Sequence, residues 1–304
     1  MTTRVFIIMF AVFAISCGSD NSSRRSASEF DGNAAYRYLI AQCDLGPRVP
    51  NTPAHRQALA LIARTLDSLG IAVEKQDFRV KDPYSSDTLC LTNVIGRFNP
   101  DNSNRLLFCA HWDSRPRSEM DADSQKQTQP LPGANDGASG TAVLLQLAKE
   151  LVALRVTRGV DLVFLDGEDW GKSGDLDYYC LGAKEFARRA DAKVYDYGVV
   201  LDMVGDKSQR FFKEEYSVRY EGKLVDKIWG RAAQLGMSTT FDTRLSQPIY
   251  DDHLPLLAAS IRTIDIIDFE YPWWHTTQDT PDKCSPESLG RIGKLILSLV
   301  VDPL

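Results

Sequence analysis

Leu106-Leu107-Phe108-Cys109-Ala110-His111-Trp112-Asp113 is the stretch on which the fold turns. An unbroken apolar run leads into a histidine and a carboxylate, the pattern of a buried strand that delivers polar side chains at its C-terminal end. The design recurs downstream. Val163-Phe164-Leu165-Asp166-Gly167-Glu168-Asp169 ends a second apolar run in three acids, and Val199-Val200-Leu201-Asp202-Met203-Val204-Gly205 ends a third in one. Open α/β sheets bind ligands outside the carboxyl ends of their strands, so this placement predicts both the fold class and the position of the site.

Around these runs the chain alternates helical and extended patterns without internal repeats. Helical periodicity covers Asn33 to Cys43 and Thr52 to Leu69, the latter with Leu59, Leu61, Ile62, Leu66 and Leu69 on one face and Gly70 as its stop. Val73 to Val80 and Leu89 to Arg97 read as an antiparallel pair. Leu106 to His111, Val160 to Leu165, Tyr197 to Met203 and Arg262 to Ile267 read as further strands, and Ser139 to Leu151, Gly222 to Leu235 and Pro286 to Leu299 as helices. The expected fold is an α/β sandwich on a largely parallel sheet.

Composition narrows the function. The 304 residues carry 35 Lys+Arg against 41 Asp+Glu, net −6, and 43% are hydrophobic, which excludes wholesale disorder and collagen-like repeats. An acidic chain without a basic cluster has little electrostatic footing on phosphate backbones, so nucleic-acid binding is set aside. Residues 1–17 read as a targeting segment: Arg4, an apolar stretch from Val5 to Ile15 too short to span a bilayer, then Ser16-Cys17. Small residues before a cysteine resemble a bacterial lipobox, with Cys17 as the lipidated residue; a plain secretory signal is the alternative. Either implies export, and the lipobox implies periplasm or cell surface with the lipid anchor as the sole membrane attachment. Residues 18–29, rich in Ser, Asn and Arg, read as a flexible tether, and residues 30–304 as a single catalytic domain. Cys43, Cys90, Cys109, Cys180 and Cys284 form no CxxC pair, allow at most two disulfides and leave their pairing open.

Several carboxylates buried at neighbouring strand ends are costly unless a cation or strong hydrogen bonds compensate. Zinc accepts imidazole nitrogen and carboxylate oxygen and, in catalytic sites, keeps one position open. Asp136, in the flexible turn Gly133-Ala134-Asn135-Asp136-Gly137-Ala138-Ser139-Gly140, suits such a site. His111, His253 and His275 lie in motifs of this kind, whereas His55 sits among helix-starting polar residues and reads as a surface side chain.

Gly46-Pro47-Arg48-Val49-Pro50, His111-Trp112-Asp113, Asn135-Asp136-Gly137, Asp166-Gly167-Glu168-Asp169, Asp202-Met203-Val204-Gly205 and His275-Thr276 together resemble the zinc aminopeptidases of the M28 family, over nearly all of Gly46 to Leu304. The resemblance implies a three-layer sandwich with a central mixed, mostly parallel β-sheet flanked by helices. It also implies one of two reactions: hydrolysis at a two-zinc site, or closure of an N-terminal glutamine into pyroglutamate at a single zinc, as in glutaminyl cyclases. The aminopeptidase ligand set matches His111, Asp136, Asp169, Asp202 and His275, with Glu168 as general base. The cyclase set matches Asp136, Asp169 and His275 as ligands of one zinc and Glu168 as general acid/base. Asp202 then orients the site, and His111 supports the ligands from behind.

Two features resemble the cyclases more closely. Asp251-Asp252-His253 carries a paired aspartate where aminopeptidases typically have a single Asp before His, and Trp274 precedes His275 directly, as a pocket wall. Asp251 is then expected to grip the amide nitrogen of the substrate, a peptide or protein with N-terminal glutamine, and the enzyme to act as a monomer. Two departures accompany this likeness. Asp169 stands where the animal cyclases have Glu, and Asp265 about where they have a second active-site histidine, so a relay from Asp251 would run between carboxyls through a shared proton or water. Trp112, Trp170, Trp229 and Trp273 read as structural. Asp166 reads as a ligand of backbone amides, Asp113 and His253 as supports of neighbouring ligands or helix caps, and Cys109 and Cys180 as unreactive thiols.

Overall fold

A computed structural model describes residues 30–302 and 304. The targeting segment with Cys17 and the tether therefore lie outside the described residues. In chain order the elements are α1 (Gly32–Cys43), α2 (Pro53–Ser68), β1 (Ala72–Lys81), β2 (Thr88–Phe98), β3 (Arg105–His111), α3 (Ala138–Leu154), β4 (Gly159–Leu165), α4 (Leu181–Arg189), β5 (Tyr195–Asp202), β6 (Phe211–Lys213), α5 (Glu215–Gln234), β7 (Phe241–Leu245), α6 (His253–Ala258), β8 (Thr263–Ile267) and α7 (Pro286–Val301). Six strands form one sheet in the order β1-β2-β4-β3-β5-β8. The β1/β2 and β2/β4 pairs are antiparallel, and β4/β3, β3/β5 and β5/β8 are parallel. The mixed, mostly parallel sheet expected from the strand patterns is thus the one formed.

Strand alternation builds the layers. Leu106, Phe108 and Ala110 of β3 pack into a core shared with α1, α2, α3, α5 and α7, while Leu107 and Cys109 point to the opposite face, against Ala183 and Phe186 of α4 and Leu256 of α6. β3 and β4 are buried along their whole length, which is why both read as continuous apolar runs rather than alternating ones.

Two glycines set how α3 meets the sheet. Gly137, at φ +94°, occupies left-handed backbone, and a Cβ there would lie 2.4 Å from the Asp113 carbonyl oxygen; a Cβ on Gly140 would lie 2.3 Å from the Leu201 carbonyl oxygen. Gly137 in the Asn-Asp-Gly turn and Gly140 in the first turn of α3 therefore let the start of α3 press against β5 and hold Asp136 at the sheet end. Arg48, fully buried, closes the same region by donating to the carbonyls of Trp112, Pro132 and Gly133.

Several expectations are corrected or refined. His55 is not a surface residue: it is 3% exposed, its Nε2 lies 2.8 Å from Asp166 Oδ1, and its ring stacks on Trp112 with centroids 4.4 Å apart. The reason lies in Asp166, fully buried at the end of β4, which requires a partner beyond the Thr92 amide that donates to it. Burial pushes the Asp166 carboxyl up to about 6 against the opposing pull of His55. Helix α5 starts earlier than the Gly222 periodicity suggests, because Glu214 caps a first segment that kinks at Glu221. The five cysteines of the described residues are all free. No helix among those residues is long and apolar enough to cross a membrane.

Glu214 joins three elements. Its carboxylate accepts from the amides of Tyr216, Ser217 and Ile249 and lies 3.3 Å from His253 Nε2. Burial alone would raise its pKa, but His253 and the amides hold it down at about 2, from 4.5. A depressed folded-state pKa gives stabilisation that is complete above the unfolded value and fades as pH falls through the folded one. Glu214→Gln is expected to cost about 2 kcal/mol at neutral pH. In urea unfolding, the gap between variant and parent should shrink by half or more at pH 3, and an equal gap at both pH values would contradict this origin.

Candidate active site and metal centre

The carboxyl ends of β3, β4 and β5 and the loops beyond them bring the candidate residues together. His111 and Asp202 are the last residues of their strands, Glu168 and Asp169 follow β4, Asp136 precedes α3, Asp251 precedes α6, and His275 lies in the loop after β8. Asp136 is the shared element. Its Oδ1 lies 3.2 Å from His111 Nε2 and its Oδ2 3.7 Å from His275 Nε2. Two donor sets result, His111/Asp136/Asp202 and Asp136/Asp169/His275, each with its ligand atoms within 4.8 Å of one another.

The sets differ in how their atoms are satisfied. In the first, His111 Nε2 already meets Asp202 Oδ1 at 3.1 Å, and Asp113, Asp136 and Asp202 together raise the His111 pKa against its burial. In the second, Asp169 Oδ2 is buried without a hydrogen-bond partner, 3.4 Å from His275 Nε2. Burial would raise the Asp169 carboxyl, yet Arg115, bonded to Oδ1, and His275 hold it well below the usual carboxylate range. An anionic oxygen aimed at an imidazole and a second carboxylate fits the donor chemistry of zinc.

Behind these groups stand residues that fix them. Asp113 accepts the Glu168 and Asp169 amides and lies 3.5 Å from His111 Nδ1, so of the readings left open for it, support of neighbouring ligands is the one its contacts match. Asp279, fully buried, accepts the amides of Asn135 (2.8 Å) and Asp136 (3.1 Å) and the Tyr271 hydroxyl (2.7 Å). Burial and the Asp136 charge push its carboxyl up to about 7. Neither Asp279 nor Arg115 was legible in the sequence. Arg115 follows His111-Trp112-Asp113 as one of two nearby arginines, and Asp279 lies in an ordinary polar loop; only their tertiary contacts distinguish them.

Glu168 faces the pocket, and burial followed by the charge of Asp169 pushes its carboxyl well above the ordinary range. Its ligand atom lies within 4.8 Å of those of Cys180 and Asp251. Asp251 is 3% exposed, with Oδ2 unpartnered. Asp251, His253 and Asp265 form a further buried cluster, in which burial and Asp251 push the Asp265 carboxyl up, as sharing of a proton between carboxyls requires. His253 lies between Glu214 and Asp265. Trp274 stacks on His275, centroids 3.9 Å apart, and with Ile249, Ile267 and Phe269 walls a pocket of about 60 Å³ that Glu168 and Asp251 also line. Trp112 and Trp229 are core residues, and Trp273 is exposed and does not line this pocket.

Residues 93–300 match the model of peptidase family M28. The chain belongs to that family. It is similar to Bacteroides thetaiotaomicron glutaminyl cyclase, whose crystal structure holds N-acetylhistamine: TM-score 0.87, 34% identity, covering 91% of this chain and 99% of that one. It is 24% identical to the glutaminyl-peptide cyclotransferase of Gloydius blomhoffii, over 86% of this chain and 80% of that protein. It is also 25% identical to aminopeptidase YwaD of Bacillus subtilis, over 85% of this chain, and spans about half of that protein's length (54%).

If Asp279 positions Asp136 for a metal, Asp279→Asn should weaken metal binding ~10–100-fold, as loss of such supporting contacts does elsewhere. Competition with a chromophoric chelator measures this, with circular dichroism to confirm the fold. An affinity within twofold of the parent would remove Asp279 from that role.

Proposed function

We propose that this M28 chain is a zinc-dependent glutaminyl-peptide cyclotransferase that converts the N-terminal glutamine of peptides or proteins to pyroglutamate. The observation that carries the reading is the pair of carboxyls in the pocket wall. There Glu168 and Asp251 approach within 4.8 Å in a small pocket also walled by Trp274 and Phe269. Hydrolysis needs one base beside an activated water. Cyclisation has two nitrogens to manage, the attacking α-amine and the departing amide nitrogen, and a pair of carboxyls suits that task.

In this reading Asp136, Asp169 and His275 hold one zinc ion, which supplies Lewis-acid polarisation of the γ-carboxamide oxygen when bound. Glu168 takes a proton from the α-amine as its nitrogen forms the bond to the γ-carboxamide carbon. It then returns that proton to the leaving nitrogen, which departs as ammonia when the original C–N bond breaks. Burial and the Asp169 charge raise the Glu168 pKa, which makes its carboxylate a stronger base for the amine proton. Asp251 accepts an N–H of the carboxamide and keeps it turned toward Glu168. Asp202 fixes His111, and Trp274 with Phe269 and Ile249 packs the glutamine stem in the folded conformer, sparing the reaction the entropy of closing a flexible chain. We also propose that residues 1–17 direct export, that Cys17 anchors the mature chain, and that the substrates are met outside the cytoplasm.

One observation favours a second reading. The five donors of a two-metal aminopeptidase are all present, with one oxygen of Asp136 toward each histidine. In that case His111 and Asp202 complete a second metal position and Glu168 activates water. Purified protein supplied with zinc, offered Gln-Ala and Leu-Ala with free N-termini, separates the two. Ammonia and a cyclised product from the Gln peptide alone are expected, whereas free leucine would establish the peptidase. Glu168→Gln should lower cyclisation by at least about a thousandfold while metal stays bound. Asp251→Ala should be nearly as severe, and a near-normal rate would remove Asp251 from the reaction.

A further inference from the structure

The catalytic pocket opens into a second cavity of about 360 Å³, and the two share Tyr179, Ile249, Tyr250, Phe269, Trp274 and His275 as walls. A substrate whose first residue is folded into the inner pocket has to leave through this mouth, so the mouth meets whatever follows glutamine. Its outer rim carries Met120 and Leu176, which are 55% and 48% exposed. They are two of the seven large apolar side chains that stand exposed among the described residues. Solvent-facing apolar groups gathered at one concavity mark a binding surface rather than chance exposure.

Both are held in place. The Met120 amide donates to the carbonyl of His275 at 3.1 Å, which ties the rim to the proposed zinc ligand. Leu176 belongs to the same short 3-10 turn that leads into Tyr179, a wall of both cavities. The charged pair in the mouth is already matched: Arg115 Nε donates to Glu119 at 2.8 Å, and the Arg115 side chain is 1% exposed. The mouth thus offers apolar surface without a free charge to receive an acidic or basic side chain.

We propose that this mouth, rimmed by Met120, Leu176 and Pro248, is a subsite for an apolar side chain at the second position of the substrate, so that glutamine followed by Leu or Phe is cyclised preferentially. The inference rests on the cyclase reading and goes beyond it by naming the substrate class. Partial burial of a leucine side chain there should raise kcat/KM for Gln-Leu-amide about tenfold over Gln-Ala-amide. Gln-Glu-amide should fall below Gln-Ala-amide, because its charge loses water without gaining a partner.

The test is ammonia release from these three peptides by the parent and by the Met120→Ser/Leu176→Ser double variant, with Val152→Ser on the exposed side of α3 as the control. The double variant should bring the Leu/Ala ratio to within about twofold, and the control should keep it near tenfold. Equal rates for Leu and Ala peptides in the parent, or an unchanged ratio in the double variant, would overturn the subsite while leaving the cyclase standing. Ammonia from none of the three would overturn both.

Discussion

Negative charge gathered where water is scarce is the constraint around which the molecule is arranged. Asp136, Asp169, Asp202, Glu168 and Asp251 converge at the carboxyl ends of the strands, all of them buried, with Asp252 and Asp265 buried close behind. Each must be matched by a cation, by hydrogen bonds or by a proton. The structure uses all three. Arg115 and His275 hold Asp169 ionised, and backbone amides support Asp113 and Asp279. Burial and neighbouring charge push Glu168, Asp252 and Asp265 toward their protonated forms. The same pressure draws His55 into the core, where it faces Asp166.

This sorting assigns the chemistry. A carboxyl whose pKa is raised is a stronger base once ionised and then holds the proton it must hand on, which is the property asked of Glu168. A carboxylate held anionic, with one oxygen unpartnered, is the one suited to a metal, and Asp169 is that group. Asp136 reaches both histidines, but His111 already answers to Asp202, so the unsatisfied side is the one toward His275. The M28 frame accommodates either a peptidase or a cyclase. In the proposed reading, the second carboxyl, Asp251, and the aromatic walls Trp274 and Phe269 of the same pocket turn the frame toward cyclisation.

Much of the frame was legible in the sequence because the responsible signals are local. The apolar run of Leu106 to Ala110 reads as a strand buried on both faces, Gly137 marks a left-handed turn, and Gly140 a close approach of α3 to β5. His111, Asp136, Asp169 and His275, named from motifs, do converge. What escaped was set by partners far along the chain. His55 looks like a helix-start polar residue until Asp166, 111 residues away, is placed beside it. Asp279 reaches Asn135 across 144 residues, and Arg115 reaches Asp169 across 54. Helices α4 and α6 are short, 9 and 6 residues, and α6 opens on the polar Asp251-Asp252-His253, so periodicity has little length over which to declare itself.

The number of metal ions separates the balance described here from the two-metal arrangement most directly. Anomalous diffraction at the zinc edge, from crystals of protein equilibrated with zinc and scaled to a total-metal assay, reads both count and position. One full-occupancy peak among Asp136, Asp169 and His275, with His111 still bonded to Asp202, is the predicted result. Two peaks of equal occupancy bridged by Asp136, the second between His111 and Asp202, would contradict it.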